Sequence, residues 1–190
     1  MRKVIYAINL TLDGCCDHTK MVPPDEEVFE YDMTQFLREA DLFVYGRKTY
    51  QLMVPYWPDV AKDQSASKAD RDFAQAFVSA NKVVFSRSLD SAEVKKGDKN
   101  ARVVHTNLRD EILKLKQEPG KNIIVGGVDI PSQLIELGLV DEYRFGISPL
   151  IAGAGRRLME GINLPEKLRL KLVDSKTFPS GWVMLRYLKR

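Results

Sequence analysis

Between residues 4 and 137 the chain repeats one pattern: a short run of strand-forming apolar residues, a turn of glycine or small polar residues, then apolar positions at helical spacing. Strands that alternate with helices in this way must run mainly parallel, because each crossover carries the chain back before the next strand begins. A fold of class α/β is therefore expected, with a mainly parallel central sheet flanked by helices on both faces.

The pattern can be followed residue by residue. Val4 to Leu12 reads as a first strand, with Val4, Tyr6, Ile8, Leu10 and Leu12 on one side, the small Ala7 on the other, and Asp13-Gly14 as the turn. Asp25 can cap a helix whose core face carries Phe29, Met33, Phe36, Leu37 and Ala40 and which delivers the chain to strand 42–45. Gly46 and a short amphipathic turn follow. Ser67 with Asp70 resembles a capping box, ahead of Phe73, Ala74, Phe77 and Val78 and then strand 82–85. A charged loop is expected through Gly97, then a short strand at Val103-Val104. Asn107 caps a helix that stops at Pro119-Gly120, strand 122–125 ends in Gly126-Gly127, and Pro131 opens a helix that Gly138 closes. The ending departs from the pattern. Segments 140–148, 168–176 and 182–188 read as strands, and Pro179-Ser180-Gly181 makes the last two an antiparallel C-terminal hairpin.

The length of 190 residues suits one domain, 1–190, and a 44% hydrophobic content can fill its core. Charges of both signs are interspersed around a net charge of +3, which argues against a nucleic-acid-binding face and leaves room for a local anionic ligand. The first apolar run is too short for a signal peptide or a membrane span, so a cytoplasmic protein with no membrane partner is expected. Cys15 and Cys16 are adjacent and unaccompanied, which suits reduced thiols, and neither histidine has ligand-like spacing, so no metal is expected.

Chemistry-bearing residues collect where strands end. Gly46 is followed by Arg47, Lys48 and Thr49: a planar guanidinium, a point charge and a hydroxyl at a helix start, where unpaired backbone N–H groups attract anions. The same cations would suit a solvated, capped helix. Ser86 and Arg87 follow strand 82–85, and Gly126-Gly127 let backbone approach a ligand closely. Parallel strands share one carboxyl-terminal edge, which is where open α/β sheets bind nucleotides. A competing motif, Gly153-Ala154-Gly155, resembles a dinucleotide fingerprint, but Leu158 stands in place of its third glycine and no long crossover helix follows, so a loop is expected.

On these residues the chain resembles the dihydrofolate reductase family. FVYGRKTY is similar to the family's cofactor segment, and KVVFSRSL to its next cofactor strand. NIIVGGVDIPSQLIELGLVDEYRFGISPLIAGAGRRLM is similar to its glycine-pair segment and the stretch beyond it. NLTLDG and LVDEYRFGISPLIAGAG resemble the branch that holds the reductase domain of bacterial riboflavin biosynthesis. The resemblance covers nearly the whole chain. It implies a dihydrofolate-reductase-like sheet and an NADPH-dependent reductase acting on a small heterocycle or a ribosylamino-pyrimidine. It also implies that Gly46, Arg47, Lys48 and Thr49 hold the phosphates and that Ser86 and Arg87 grip the 2′-phosphate. Gly126, Gly127, Val128 and Asp129 would line the pyrophosphate and nicotinamide side, and Ala7 would present its backbone to the nicotinamide. A homodimer is implied as well.

The substrate side departs from the folate pattern, which needs a carboxyl group on the first helix. Alignment on Phe36 offers Asp32, and counting back from Gly46 offers Glu30; both also suit solvated helix positions. Asp13 in the turn is the other candidate. Tyr50, Tyr56 and Trp57 suit either stacking on a flat ring or packing under a loop. Folate reduction, and nucleotide binding without turnover, stand as alternatives.

Overall fold

The computed structural model describes every residue except Pro165 and the side chains of residues 34–37, so the expected core positions Phe36 and Leu37 lie outside the described residues. In chain order the elements are β1 (Val4–Thr11), α1 (Glu26–Glu39), β2 (Ala40–Gly46), α2 (Arg47–Val60), α3 (Lys68–Ser79), β3 (Asn81–Phe85) and α4 (Ser91–Gly97). They continue as β4 (Ala101–Val104), α5 (Leu108–Gln117), β5 (Asn122–Val125), α6 (Asp129–Glu136), β6 (Glu142–Ser148), β7 (Leu170–Thr177) and β8 (Val183–Lys189).

All eight strands join one sheet in the order β4-β3-β2-β5-β1-β6-β8-β7. Pairings from β4 through β6 are parallel, whereas β8 runs antiparallel to both β6 and β7. The mainly parallel sheet and the closing antiparallel hairpin are thus as the alternation of the sequence requires. The hairpin turns at Gly181, whose φ of 86° favours glycine, and Phe178 N–H donates to the Trp182 carbonyl at 3.0 Å.

Burial on both faces explains why the central strands read as continuous apolar runs. Val4, Tyr6, Leu42, Val44, Ile123 and Val125 pack against Ile112 and Leu115 of α5 and Leu134 and Ile135 of α6. Their neighbours Ile5, Phe43, Tyr45, Val84 and Ile124 pack the other way, against Trp57 of α2 and Phe73 and Phe77 of α3. Trp57 meets Phe73 edge-on at 4.5 Å between centroids and stacks on Phe29 of α1 at 6.0 Å. Of the three aromatic residues near the cofactor segment, Tyr50 and Trp57 are therefore core, while Tyr56 is exposed.

Two helices exceed what the sequence led one to expect. In place of a short turn, α2 runs for 14 residues with Pro55 and Pro58 inside it, because burial of Tyr50 and Trp57 outweighs the two lost backbone donors. In place of a charged loop, α4 forms on a cap: the Asp90 carboxylate accepts from Ala92 N–H and Glu93 N–H, at 2.8 and 2.9 Å. Only Val94 of α4 is buried, so no apolar period announces the helix. The capping residues Asp25, Ser67 and Asn107 each accept from a first-turn backbone N–H, as their sequence context predicts.

Candidate functional site

The carboxyl ends of β2, β3, β4 and β5 open into a single cleft of about 680 Å³. Gly46 caps α2 with extended backbone and offers no side-chain cap, so the amides of the first turn point outward beside Arg47, Lys48 and Thr49. Arg47 reaches across this end of the sheet, donating from Nη1 to Ser88 Oγ at 2.8 Å. Its guanidinium therefore shares one wall with Arg87. The Ser86 hydroxyl oxygen accepts from Ser88 N–H and Leu89 N–H at 3.2 and 3.1 Å, which shapes the turn and leaves its proton to donate.

The glycine pair fits tightly against the opposite wall. A Cβ at Gly126 would stand 2.7 Å from the Tyr45 ring, and one at Gly127, where φ is 84°, would collide with Thr49 Oγ1. No other residue type lets β5 pass so close to the start of α2. Gly46, Arg47, Lys48, Thr49, Ser86, Arg87, Gly126, Val128 and Asp129 all line the cleft, and Gly127 abuts it through Thr49. His105, Thr106 and Gln133 also line it and were missed in the sequence, although His105-Thr106 follow β4 just as Ser86-Arg87 follow β3.

On β1, Tyr6 pairs in register with Val125 and its hydroxyl donates to the Gly127 carbonyl at 3.0 Å. Burial pushes the Tyr6 phenol far up, so it remains a neutral donor. Ala7 is the next residue along, flush with the glycine pair, and its register partner on β6 is Arg144.

The candidate carboxyl groups separate cleanly. Glu30 is exposed and lines an outer groove between α1 and α3 with Lys68 and Asp72. Asp32 lies within electrostatic reach of Arg144; burial raises its carboxyl to about 7, with the Arg144 charge pulling the other way. Arg144 is itself held in a buried network. It donates through Nε to Glu142 at 2.8 Å and pairs with Glu39, while Arg186 donates to the same Glu142 carboxylate at 2.7 Å. Burial alone would raise Glu142, but the Arg186 hydrogen bond and the Arg144 charge outweigh it and hold the group below its ordinary value.

Asp13 does something else. It accepts from Thr11 Oγ1 at 2.6 Å, Ala152 N–H at 3.0 Å and Gly153 N–H at 3.1 Å, and it pairs with Arg157 at 3.4 Å. The Thr11 hydrogen bond and those backbone donors bring its carboxyl down to about 2. It therefore fastens the segment after β6 to the end of β1. That segment is the Gly153-Ala154-Gly155 motif, a loop in which Gly155 has φ of 121° and approaches Cys15 Sγ. Arg156 in the same loop pairs with Asp129 at 2.6 Å, and its carbonyl accepts from Cys16 N–H at 2.9 Å. The loop thus joins the cleft to a second, smaller pocket of about 340 Å³ beside the end of β1, lined by Asn9, Cys16, His18, Val22, Trp182 and neighbours.

Comparison with known proteins places this geometry in context. The model of the RibD C-terminal domain family matches residues 2–184. The uncharacterised YyaP of Bacillus subtilis (strain 168) is 34% identical over 189 residues, covering 98% of this chain and 94% of YyaP; YwjB of the same organism is 26% identical over 196 residues, covering 99% and 98%. Among solved structures, a protein of Shewanella sp. PV-4 whose name places it in riboflavin biosynthesis superposes with a TM-score of 0.74 at 17% identity, over 99% of each chain. A pyrimidine reductase-like protein of Corynebacterium diphtheriae does so with a TM-score of 0.64 at 15% identity, over 100% of this chain and 92% of its own. At such identities these two likenesses speak to the fold.

Proposed function

Since the chain belongs to the RibD C-terminal domain family, we propose that it is an NADPH-dependent reductase of a small heterocyclic substrate, of the ribosylamino-pyrimidine-reductase type. The observation that carries this reading is the convergence of four parallel strand ends, with their cations, hydroxyls and glycine pair, on one cleft. The residues present fit the coenzyme. The α2 amides with Arg47, Lys48 and Thr49 would hold the pyrophosphate, and the Gly126-Gly127 edge would let it lie against backbone. Ser86 and Arg87, joined by Arg47 through Ser88, would take the 2′-phosphate, a dianion whose need for partners favours NADPH over NADH.

Bound NADPH supplies a hydride to an electrophilic carbon of the substrate. The chain supplies position and a proton. Ala7 and the flush end of β5 give the nicotinamide a flat backbone wall. Asp32 lines neither pocket, so it would supply the proton to the heteroatom of the reduced C=N or C=O through an intervening water, which balances the hydride. An ordinary aspartic acid at pH 7 is protonated to roughly one part in a thousand, whereas one at about 7 is half protonated. Asp13, held near 2, is a carboxylate at any working pH and would anchor the loop between the two pockets.

Two further parts of this reading concern the protein's setting. Among the described residues no helix is long and apolar enough to cross a membrane, and both cysteines are free, which suits the cytoplasm. We also propose a homodimer through the open end of the sheet, where edge strand β7 leaves Leu172 48% and Val173 40% exposed. Light scattering that finds a monomer would remove that part alone. The function is tested by calorimetry with NADPH, followed by absorbance at the reduced-nicotinamide band with a ribosylamino-pyrimidine and with dihydrofolate. Binding with oxidation by the pyrimidine is the expected result, oxidation by dihydrofolate alone would make this a folate reductase, and tight binding without oxidation by either would make it a nucleotide-binding module.

A further inference from the structure

The second pocket has a composition unlike that of the cofactor cleft. Its walls are Ile8, Met21, Val22, Pro23, Pro24 and Trp182, and its polar lining is Asn9, Cys16 and the exposed His18. Neither Lys, Arg, Asp nor Glu is among these residues. Burial pushes the Cys16 thiol up, so it is uncharged at neutral pH. Of the cations nearest in the chain, Arg156 pairs with Asp129 and Arg157 with Asp13, while Lys20 lies outside the lining and turns its Nζ to the Ala154 carbonyl at 3.2 Å. A phosphate seated here would surrender its hydration with no lysine or arginine in the lining to replace it and the exposed His18 as its one ionisable imidazole.

Asn9 is the polar group with capacity to spare. It lies one turn of the pleat beyond Ala7 on the same face of β1, above Gly146, where any side chain would collide with its Oδ1. Among the described residues its amide makes no side-chain hydrogen bond, so it keeps donor and acceptor capacity for a ligand in the pocket it lines. At about 340 Å³ the pocket is at the small end for a ligand site.

We infer that this pocket takes the substrate as a neutral, phosphate-free planar heterocycle that offers a lactam-type donor–acceptor edge to the Asn9 amide. The inference rests on the reductase reading for its location beside the nicotinamide side, and it narrows the substrate class by excluding sugar-phosphate tails. Trp182 and the Pro23-Pro24 segment would cover the ring faces, and Asn9 would fix which ring edge points inward.

The test titrates the full chain, with and without saturating NADP⁺, with 5,6-diaminouracil and with its 6-N-(5-phosphoribosyl) derivative. The expected result is that the bare base binds at least as tightly as the phosphorylated derivative. Asn9→Leu should weaken the base about tenfold, roughly one bidentate contact, and leave NADP⁺ affinity unchanged. Val22→Arg, at a position already 44% exposed, should tighten the phosphorylated probe several-fold and leave the base alone. A tenfold preference of the native chain for the phosphorylated probe overturns the inference, as does binding of neither probe or indifference of the base to Asn9→Leu. Failure of the underlying reading has a different signature: no NADP⁺ binding, whatever the probes do.

Discussion

The molecule has two halves built on opposite principles. On the side proposed to hold the cofactor, β2, β3, β4 and β5 end in exposed cations, hydroxyls and glycines, and backbone geometry sets the site. On the other side, around the end of β1, the walls are apolar, the loop is tied by Asp13, and the ionisable group of interest is half-buried on a helix. A site made of main-chain amides and surface charge tolerates water and can be read from short motifs. A site made of buried polarity depends on which strands happen to face which helix.

The largest expected effect sharpens that contrast at Asp32. Asp32→Asn should lower kcat by about 10²- to 10³-fold with NADPH affinity unchanged. In the native chain the rate should fall as pH rises through about 7, because the donor is then deprotonated, and the variant should lose that limb. Stability gives an independent check. A carboxyl whose folded value exceeds its unfolded one binds more protons when folded, so the native chain loses stability between about pH 4 and 7. Asp32→Asn should therefore melt higher than the native chain at pH 8 and equally at pH 4; a lower melting point at pH 8 would mean that the side chain is structural.

Next comes Gly127→Val, which sets a branched side chain at φ of 84° against Thr49. NADPH affinity should drop by about a hundredfold, since either the strand end or the start of α2 must move. Gly161→Val is the control for strain alone: φ is 79° there, but nothing lies within 4 Å of the new Cβ, so cofactor affinity should be untouched. A smaller effect tests coenzyme choice. Arg87→Ala should weaken NADPH about tenfold and NADH hardly at all, with a shallower salt dependence in calorimetry. Equal losses for both coenzymes would move the 2′-phosphate away from β3.

Legibility in the sequence divides along the same line. Asp25, Ser67 and Asn107 announce their helices because a cap is a local hydrogen bond, and Gly46, Ser86 and Gly126 announce the cleft because each directly follows an apolar strand. The strand before His105 and Thr106 is expected, but a histidine and a threonine after it bring neither a fixed charge nor a glycine to mark the end as a ligand wall. The partnership of Asp32 with Arg144 had no local signature at all. It exists because β6 inserts beside β1, which sets Arg144 level with Ala7 and under α1, a relation between residues more than a hundred positions apart. The same non-local packing extends α2 through two prolines.

The smallest effect separates the two carboxyl groups that the sequence could not distinguish. Asp13 is held near 2 by Thr11 and the backbone donors of Ala152 and Gly153, so it cannot change charge between pH 5 and 9. Asp13→Asn should leave the shape of the rate–pH profile as it is over that range and raise KM slightly as the loop between the pockets loosens. A group with a lowered folded value contributes stability above its unfolded value near 3.8 and loses it as pH falls toward 2. The native and variant chains should then differ in melting temperature at pH 5 and converge near pH 2. If Asp13→Asn instead removes the limb near pH 7, the proton comes from the turn and the roles assigned to the two halves must be exchanged.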